Sequence, residues 1–492
     1  MEAFVIQMAW LDSEVYLALS AIVYFSLLAL VSARVILKRN PIGVSLAWLL
    51  LIFALPLVGL ITYALFGELT LNAKRKRQRH LVAGHFVDWI EQQATHYKLN
   101  KNEVSDNAYS IQSFVESYTW MPMLKGNKHS LLTDTHSILL EFIEEIKKAK
   151  KHCYFMFYIC EEGGVVDQLL EELKKAAGRG VSCKLLLDSV GSHQFFKSQS
   201  VIELRAAGVE VVESLPVGAF RLLLHRQDLR LHRKLVCIDD HLAYTGSMNL
   251  VDPTYFNVNK GVGQWIDVMV RCEGPIVQHM QGLFIWDWSL DTQQTLTLPI
   301  ANKALFQAAG EENSQLIPSS PEFGKVGIHQ VFLTAIYGAK ESLVLTSPYF
   351  VPDESLLTAL QVAAMRGVNV KIILPAKNDS LMVKYASGAF YEDLLSSGVE
   401  IHKYDGGLLH TKSIVIDGKV ALIGTVNLDR RSFWLNFEVT MLIDNELFSK
   451  KLLSTQMKYI AGSEQLTLIE WQKRSFIKRF LESVMYLFSP LL

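Results

Sequence analysis

Cysteine is scarce and unpatterned in this 492-residue chain: Cys153, Cys160, Cys183, Cys237 and Cys272 stand singly in apolar segments, with no CxxC pair. That spacing argues against a zinc site and a disulfide framework and predicts reduced, buried thiols. A surplus of basic charge is also missing. With 48 Lys and Arg against 49 Asp and Glu, the formal net charge is −1, which excludes a nucleic-acid binder that works through bulk positive charge. No Lys or Arg precedes the first apolar run, where Glu2, Asp12 and Glu14 stand instead. The beginning therefore reads as an anchor and not as a cleavable leader.

Apolar length is abundant. Half the residues are hydrophobic and the mean hydropathy is +0.21, more than a purely soluble protein of two or three domains would carry. Val15 to Val31 is continuously apolar or small, and Ile42 to Gly67 carries no charge. Both approach or exceed the roughly 20 residues that a helix needs to cross hydrocarbon. With Arg34, Lys38, Arg39 and Pro41 between them, residues 1–70 are expected to form a two-helix transmembrane hairpin, making the chain a multi-pass membrane protein. Lys74, Arg75, Lys76, Arg77 and Arg79 follow the second run. Five basic residues there, against three in the hairpin, put the bulk of the chain in the cytoplasm. The same cluster suits either a solvated flank or contact with anionic head groups.

A repeat organises the remainder. LHRKLVCIDDHLAYTGSMN, from Leu231 to Asn249, returns as LHTKSIVIDGKVALIGTVN from Leu409 to Asn427. His232, Lys234, Asp239, Gly246 and Asn249 reappear as His410, Lys412, Asp417, Gly424 and Asn427, each displaced by 178 positions. One HxKxxxxD string can arise by chance; two with matching downstream Gly and Asn mark an internal repeat that can share one site.

The flanking sequence repeats too. Helical periodicity after Thr133 or Asp134, then an apolar strand from Cys153, is echoed by a helix near Gly327 and a strand from Leu343. VSCKLLLD matches VNVKIILP, and AAGVEVVE matches SSGVEIHKY. Strands alternating with helices argue for an α/β fold of βαβ units, with one largely parallel sheet per half. The expected order is a connector over 71–130, a first catalytic domain over 131–310, a second over 311–465, and an amphipathic, partly basic tail over 466–492. That tail can pack on the domain or lie at a bilayer surface.

Residues two apart on a strand share a face, so His232 and Lys234 are expected to point together, as are His410 and Lys412. Asp239 and Asp417 lie seven positions beyond the His, in or near a turn, where they are expected to support the structure. Two His, two Lys and the two Asn converging on a pseudo-twofold axis suit a phosphodiester. Lysines and amides hold the non-bridging oxygens, one imidazole attacks phosphorus, and the other protonates the leaving oxygen. Those two imidazoles must differ in protonation. Asp267 and Glu438, in similar apolar segments, are candidates to orient them. No metal or other cofactor is required by this chemistry, since the cationic side chains supply the charge.

The doubled motif is the signature of the phospholipase D superfamily, and the chain resembles bacterial cardiolipin synthases of that group. The resemblance covers almost its whole length, through AWLLLIFALPLVGLITYALFGE, TSPYFVPDESLL, both motifs, TGSMNLVDP, NLDRRSF and the terminal SPLL. It implies two pseudo-twofold-related αβα domains after a membrane hairpin, and a catalytic set of His232, Lys234, Asp239, His410, Lys412 and Asp417. Asn249, Asn427, Ser247 and Thr425 would meet the phosphate. It further implies a phosphatidyl-histidine intermediate, formed from phosphatidylglycerol with loss of glycerol and resolved by a second phosphatidylglycerol, His232 being the nucleophile and His410 the acid and then base. Phosphatidylglycerol and membrane lipids are thus the expected partners, nucleic acid is not, and homo-oligomerisation is left open. A hydrolase of phospholipid differs only in what resolves the intermediate. A scaffold with an inert site is disfavoured because both copies keep every motif letter.

Overall fold

The computed structural model describes residues 2–39, 42–67, 73–95, 97–218, 228–295, 298, 308–323 and 327–489. Pro41 of the expected hairpin link and the terminal Pro490, Leu491 and Leu492 lie outside the described residues.

The amino-terminal unit begins with a helix, Glu2–Leu37, of which Val15–Leu37 is long and apolar enough to cross a membrane. The second apolar run differs from the expectation. It is two helices, Ile42–Ala54 and Pro56–Phe66, parted at Leu55 (φ −135°, ψ 72°). Proline at the first helical position disfavours helical dihedrals in the residue before it and cannot donate to the preceding turn. The second helix then folds back on the first: the Trp48 and Tyr63 rings sit 5.2 Å apart, and a Cβ on Gly59 would lie 2.5 Å from Ile52 Cα. At about 1.5 Å per residue the two helices are roughly 20 and 16 Å long, each short of the ~30 Å hydrocarbon core.

In the second unit, each half supplies three parallel strands separated by helices: His152–Phe157, Ser182–Asp188 and Glu210–Ser214 in the first, Ser342–Thr346, Asn369–Pro375 and Glu400–Tyr404 in the second. The remaining long strands pair antiparallel, so the sheet is mixed and not largely parallel. The reason is local. Asp239 and Asp417 take positive φ (49° and 51°) in tight turns, and a tight turn joins only antiparallel neighbours. These turns link Leu235–Ile238 to Leu242–Gly246 and Ser413–Ile416 to Val420–Gly424.

The halves also do not keep separate sheets. Leu124–Leu132 pairs with Met269–Glu273 on one side and with Glu312–Ser319 on the other, fusing both into one sheet of 16 strands among the described residues. A domain boundary at 131 would cut that joining strand. Residues before it belong to the same body: helix Ala73–Ala94 packs Phe86, Trp89 and Ile90 with Met121 and Trp286. Arg75 is buried there in an ion-pair network with Asp287, Asp291 and Glu322, and Arg79 donates to the Glu322 carbonyl oxygen. Two members of the basic cluster thus serve packing, while Lys74, Lys76 and Arg77 are exposed.

Apolar layers flank the sheet in each half. In the first they are Ile138, Phe142, Phe155, Leu169 and Leu185, and in the second Val331, Leu345, Leu360, Ile372 and Leu394. All five cysteines are free and buried.

Candidate active site

His232 and Lys234 lie in the three-residue link between the short strand Arg230–Leu231 and Leu235–Ile238, and His410 and Lys412 lie in the matching link after Leu408–Leu409. They are therefore just off the strands rather than within one. Each lysine turns its ammonium back onto the carbonyl of its own histidine, Lys234 Nζ to His232 O at 2.9 Å and Lys412 Nζ to His410 O at 2.6 Å.

The short strands cross between halves. Arg230–Leu231 runs parallel to Asn436–Phe437 of the second half, and Leu408–Leu409 parallel to Trp265–Ile266 of the first. His232 N donates to Phe437 O and His410 N to Ile266 O, both at 2.9 Å. In consequence each imidazole meets the carboxylate of the other half. His232 Nδ1 lies 2.7 and 2.9 Å from the two Glu438 oxygens, and His410 Nδ1 lies 2.7 Å from Asp267 Oδ1. With Nδ1 committed, Nε2 of each ring is left for chemistry.

The carboxylates are themselves held. Glu438 is buried and accepts from Asn436 Nδ2 at 3.0 Å, and Asp267 accepts from the Ser247 hydroxyl at 2.6 Å. Thr425 Oγ1 accepts from Val439 N at 2.9 Å. Ser247 and Thr425, expected at the phosphate, instead brace the strands that carry the carboxylates. A short β-branched or serine side chain following a strand-end glycine reaches the neighbouring strand, not the centre. That glycine is needed for the approach: a Cβ on Gly246 or Gly424 would lie 2.3 Å from Val268 O or 2.2 Å from Val439 O.

Asn249 uses its Oδ1 to accept from Ile159 N at 3.2 Å, leaving its amide hydrogens. Asn427 Oδ1 is buried with no partner among the described residues. Asp239 and Asp417 stay out of the centre, a correction to their place in the motif's catalytic set. Asp239 accepts from the backbone N–H groups of Lys150, Lys151 and His152. Asp417 accepts from those of Lys340, Glu341 and Ser342, and from Asn107 Nδ2 at 2.7 Å. Each pins a turn to a helix-to-strand junction, the supporting role expected of them.

Electrostatics separate the two histidines. Burial, reinforced by Lys234 and Lys412, pushes His232 well below the ordinary imidazole range. The same forces act on His410, held at about 4, but Asp267 opposes them. Burial raises Glu438 to about 7, against the pull of Lys234. Asp267, although buried, is kept below the usual carboxylate range by His410 and Lys412. Both imidazoles are therefore held below their ordinary range, and the pairs differ in that an ionised Asp267 favours the charged form of His410, whereas burial raises Glu438 itself beside His232. Burial lowers Lys234 to about 8 and Lys412 to about 7, so an anion placed between them restores both charges.

Sequence reasoning misses two rings at the site. Tyr158 packs edge-on to His232 with centroids 5.0 Å apart, and Trp265 lies 4.3 Å from His410. Trp265 precedes Asp267 by two residues, so strand periodicity could have placed it; Tyr158 has no such signal.

Residues 142–288 and 332–459 match the family described as cardiolipin synthase, PLD-like domain, and residues 27–68 match a phospholipase D-nuclease N-terminal family. The chain is 45% identical to the cardiolipin synthase A proteins of Proteus mirabilis strain HI4320 and Serratia proteamaculans strain 568 over 471 residues, covering 95% of this chain and 97% of each of those. Its fold resembles the crystal structure of phosphatidylserine synthase from Haemophilus influenzae Rd KW20, with a TM-score of 0.59 at 14% identity over 78% of this chain and 100% of that one. Two motif copies that exchange their histidine partners across one sheet, with matches of this extent, establish that the chain belongs to the cardiolipin synthase family of phospholipase D-like proteins.

Proposed function

We propose that this protein joins two phosphatidylglycerol molecules into cardiolipin with release of glycerol, through a phosphatidyl-histidine intermediate. The crossed pairs His232–Glu438 and His410–Asp267 carry the reading, because two differently tuned imidazoles are what a two-step displacement at phosphorus requires. His232 Nε2 attacks phosphorus, and Lys234, Lys412, Asn249 and Asn427 hold the non-bridging oxygens as charge builds. The bond from phosphorus to the glycerol oxygen breaks, and His410 gives that oxygen its proton. A head-group hydroxyl of a second phosphatidylglycerol then loses its proton to His410 and attacks phosphorus, freeing His232 and completing cardiolipin.

Both histidines come from one chain, so the chemistry needs no second copy. The apolar helix Val15–Leu37 supports a lipid substrate, and the near-neutral net charge disfavours nucleic acid. The catalytic body is assigned to the cytoplasmic side. The fold-back at Leu55 favours one crossing, by Val15–Leu37, with residues 42–67 entering and leaving the bilayer on the same face. Arg34, Lys38 and Arg39 then lie on the same side as Lys74, Lys76 and Arg77, in keeping with the positive-inside bias.

Purified protein given phosphatidylglycerol alone is expected to yield cardiolipin and glycerol in equal amounts. Phosphatidic acid as the main product would instead support hydrolysis and overturn the transferase.

A further inference from the structure

The carboxy-terminal helix Phe476–Leu487 is docked with its polar side inward. Glu482 is buried and pairs with Arg474 at 3.3 Å, and Arg474 in turn lies over the Trp471 ring at 3.9 Å. The contact with helix Leu381–Ser396 is close: a Cβ on Gly388 would sit 2.9 Å from Glu482 Cδ. Tyr486 packs edge-on to Phe390 at 5.4 Å. At 100° per residue, Phe476, Ile477, Phe480 and Leu487 fall on the side opposite Glu482. They are 81, 70, 58 and 73% exposed. Leu481 and Phe488 widen the same face.

A helix that spends its carboxylate on the protein and turns its aromatic and aliphatic residues outward is the reverse of a core-packed helix. Contiguous exposed apolar surface of this kind marks an interaction site. We infer that this face is a second membrane contact, inserted at the interface of an anionic bilayer. Lys473, Lys478 and Arg479 are exposed beside it, which complements acidic head groups. A symmetric pairing of two copies would set those same lysines and arginine against themselves. The inference rests on the membrane-anchored reading of Val15–Leu37, which already holds the chain at a bilayer. Its consequence is that the catalytic body is held to the surface by its carboxy-terminal helix as well as through its anchor.

The test uses the full-length protein in bilayers of phosphatidylcholine and phosphatidylglycerol, with an environment-sensitive fluorophore on one introduced cysteine; the five native cysteines are buried. Phe480→Cys is expected to show blue-shifted emission quenched by lipids bearing a nitroxide near the head group. Phe25→Cys reports the anchor and is expected to be quenched best by deep nitroxides, and Lys450→Cys to be unquenched. If Phe25→Cys is quenched and Phe480→Cys is not, the tail inference fails and the anchor stands. If neither is quenched, both fail. A blue shift at Phe480→Cys without lipid quenching that fades on diluting the protein in lipid identifies a second copy as the occupant and overturns the inference. As a further check, Ile477→Asp/Phe480→Asp is expected to lose turnover of vesicle lipid while turning over monomeric short-chain phosphatidylglycerol normally.

Discussion

Replacing Glu438 by Gln removes the charge behind the proposed nucleophile while keeping its volume. Glu438 is buried and bonds His232 Nδ1 through both oxygens, on the side of the ring away from Nε2. As Nε2 bonds to phosphorus the ring becomes cationic. A carboxylate about 4 Å away stabilises that charge by about 4 kcal/mol at an effective dielectric of ~20, and a charged hydrogen bond contributes about 1.5–3 kcal/mol net. These overlap, so the expected loss is about 2–4 kcal/mol, or roughly 30- to 1,000-fold in kcat. The amide can also donate to Nδ1 and reverse the tautomer, leaving Nε2 protonated and unable to attack. Because Glu438 stands behind the ring, KM should change little. Steady-state kinetics on mixed micelles, with a thermal melt to check folding, measures this. A kcat loss below about threefold, or an effect carried wholly by KM, would refute the argument.

Further consequences follow from the same geometry. Lys412 at about 7 and Lys234 at about 8 lose charge as pH rises, so kcat/KM should fall on going from pH 7 to 9; a flat profile to pH 9.5 contradicts this. Glu438 stabilises the cationic His232 ring only when ionised, and burial raises it to about 7, so the acid limb should lie near 7, and activity held unchanged down to pH 5 would count against it. Asp239→Ala strands three backbone N–H groups and should cost about 1–3 kcal/mol of stability, with near-normal kcat in the folded fraction. Since that carboxylate's pKa is lowered in the fold, its contribution is present above the ordinary Asp range and lost as pH falls through the folded value. A large kcat loss with an unchanged melting temperature would restore Asp239 to the catalytic set. In cells, a cysteine at Lys38 should react only with cytoplasmic reagents; labelling from outside would favour two full crossings.

The repeat makes much of the site legible in the sequence. Paired spacings identify the histidines, lysines and asparagines, and the turn signal at the end of each motif strand keeps Asp239 and Asp417 apart from them. What spacing does not reveal is the crossing: Leu231 pairs with Phe437 and Leu409 with Ile266, contacts about 140–200 residues apart that leave no local signal. Ser247 and Thr425 are harder to place, because a hydroxyl beside a motif does not disclose which strand it reaches. The apolar run 42–67 reads as one span by length alone, although Pro56 and Gly59 carry the signal that it bends. The single sheet is illegible for a related reason, since Leu124–Leu132 reads as polar connector and becomes a central strand only by pairing on both edges.

The most direct measurement is the covalent intermediate itself. His410→Ala, mixed with phosphatidylglycerol labelled at phosphorus and quenched rapidly under alkaline conditions, lacks the base that would activate the second hydroxyl. With a lipid carrying a phenolate-type leaving group, which needs no protonation, label should accumulate at His232 in the peptide around Leu231–Leu235. Label on another residue, or turnover with no covalent adduct at any time, would contradict the two-histidine site.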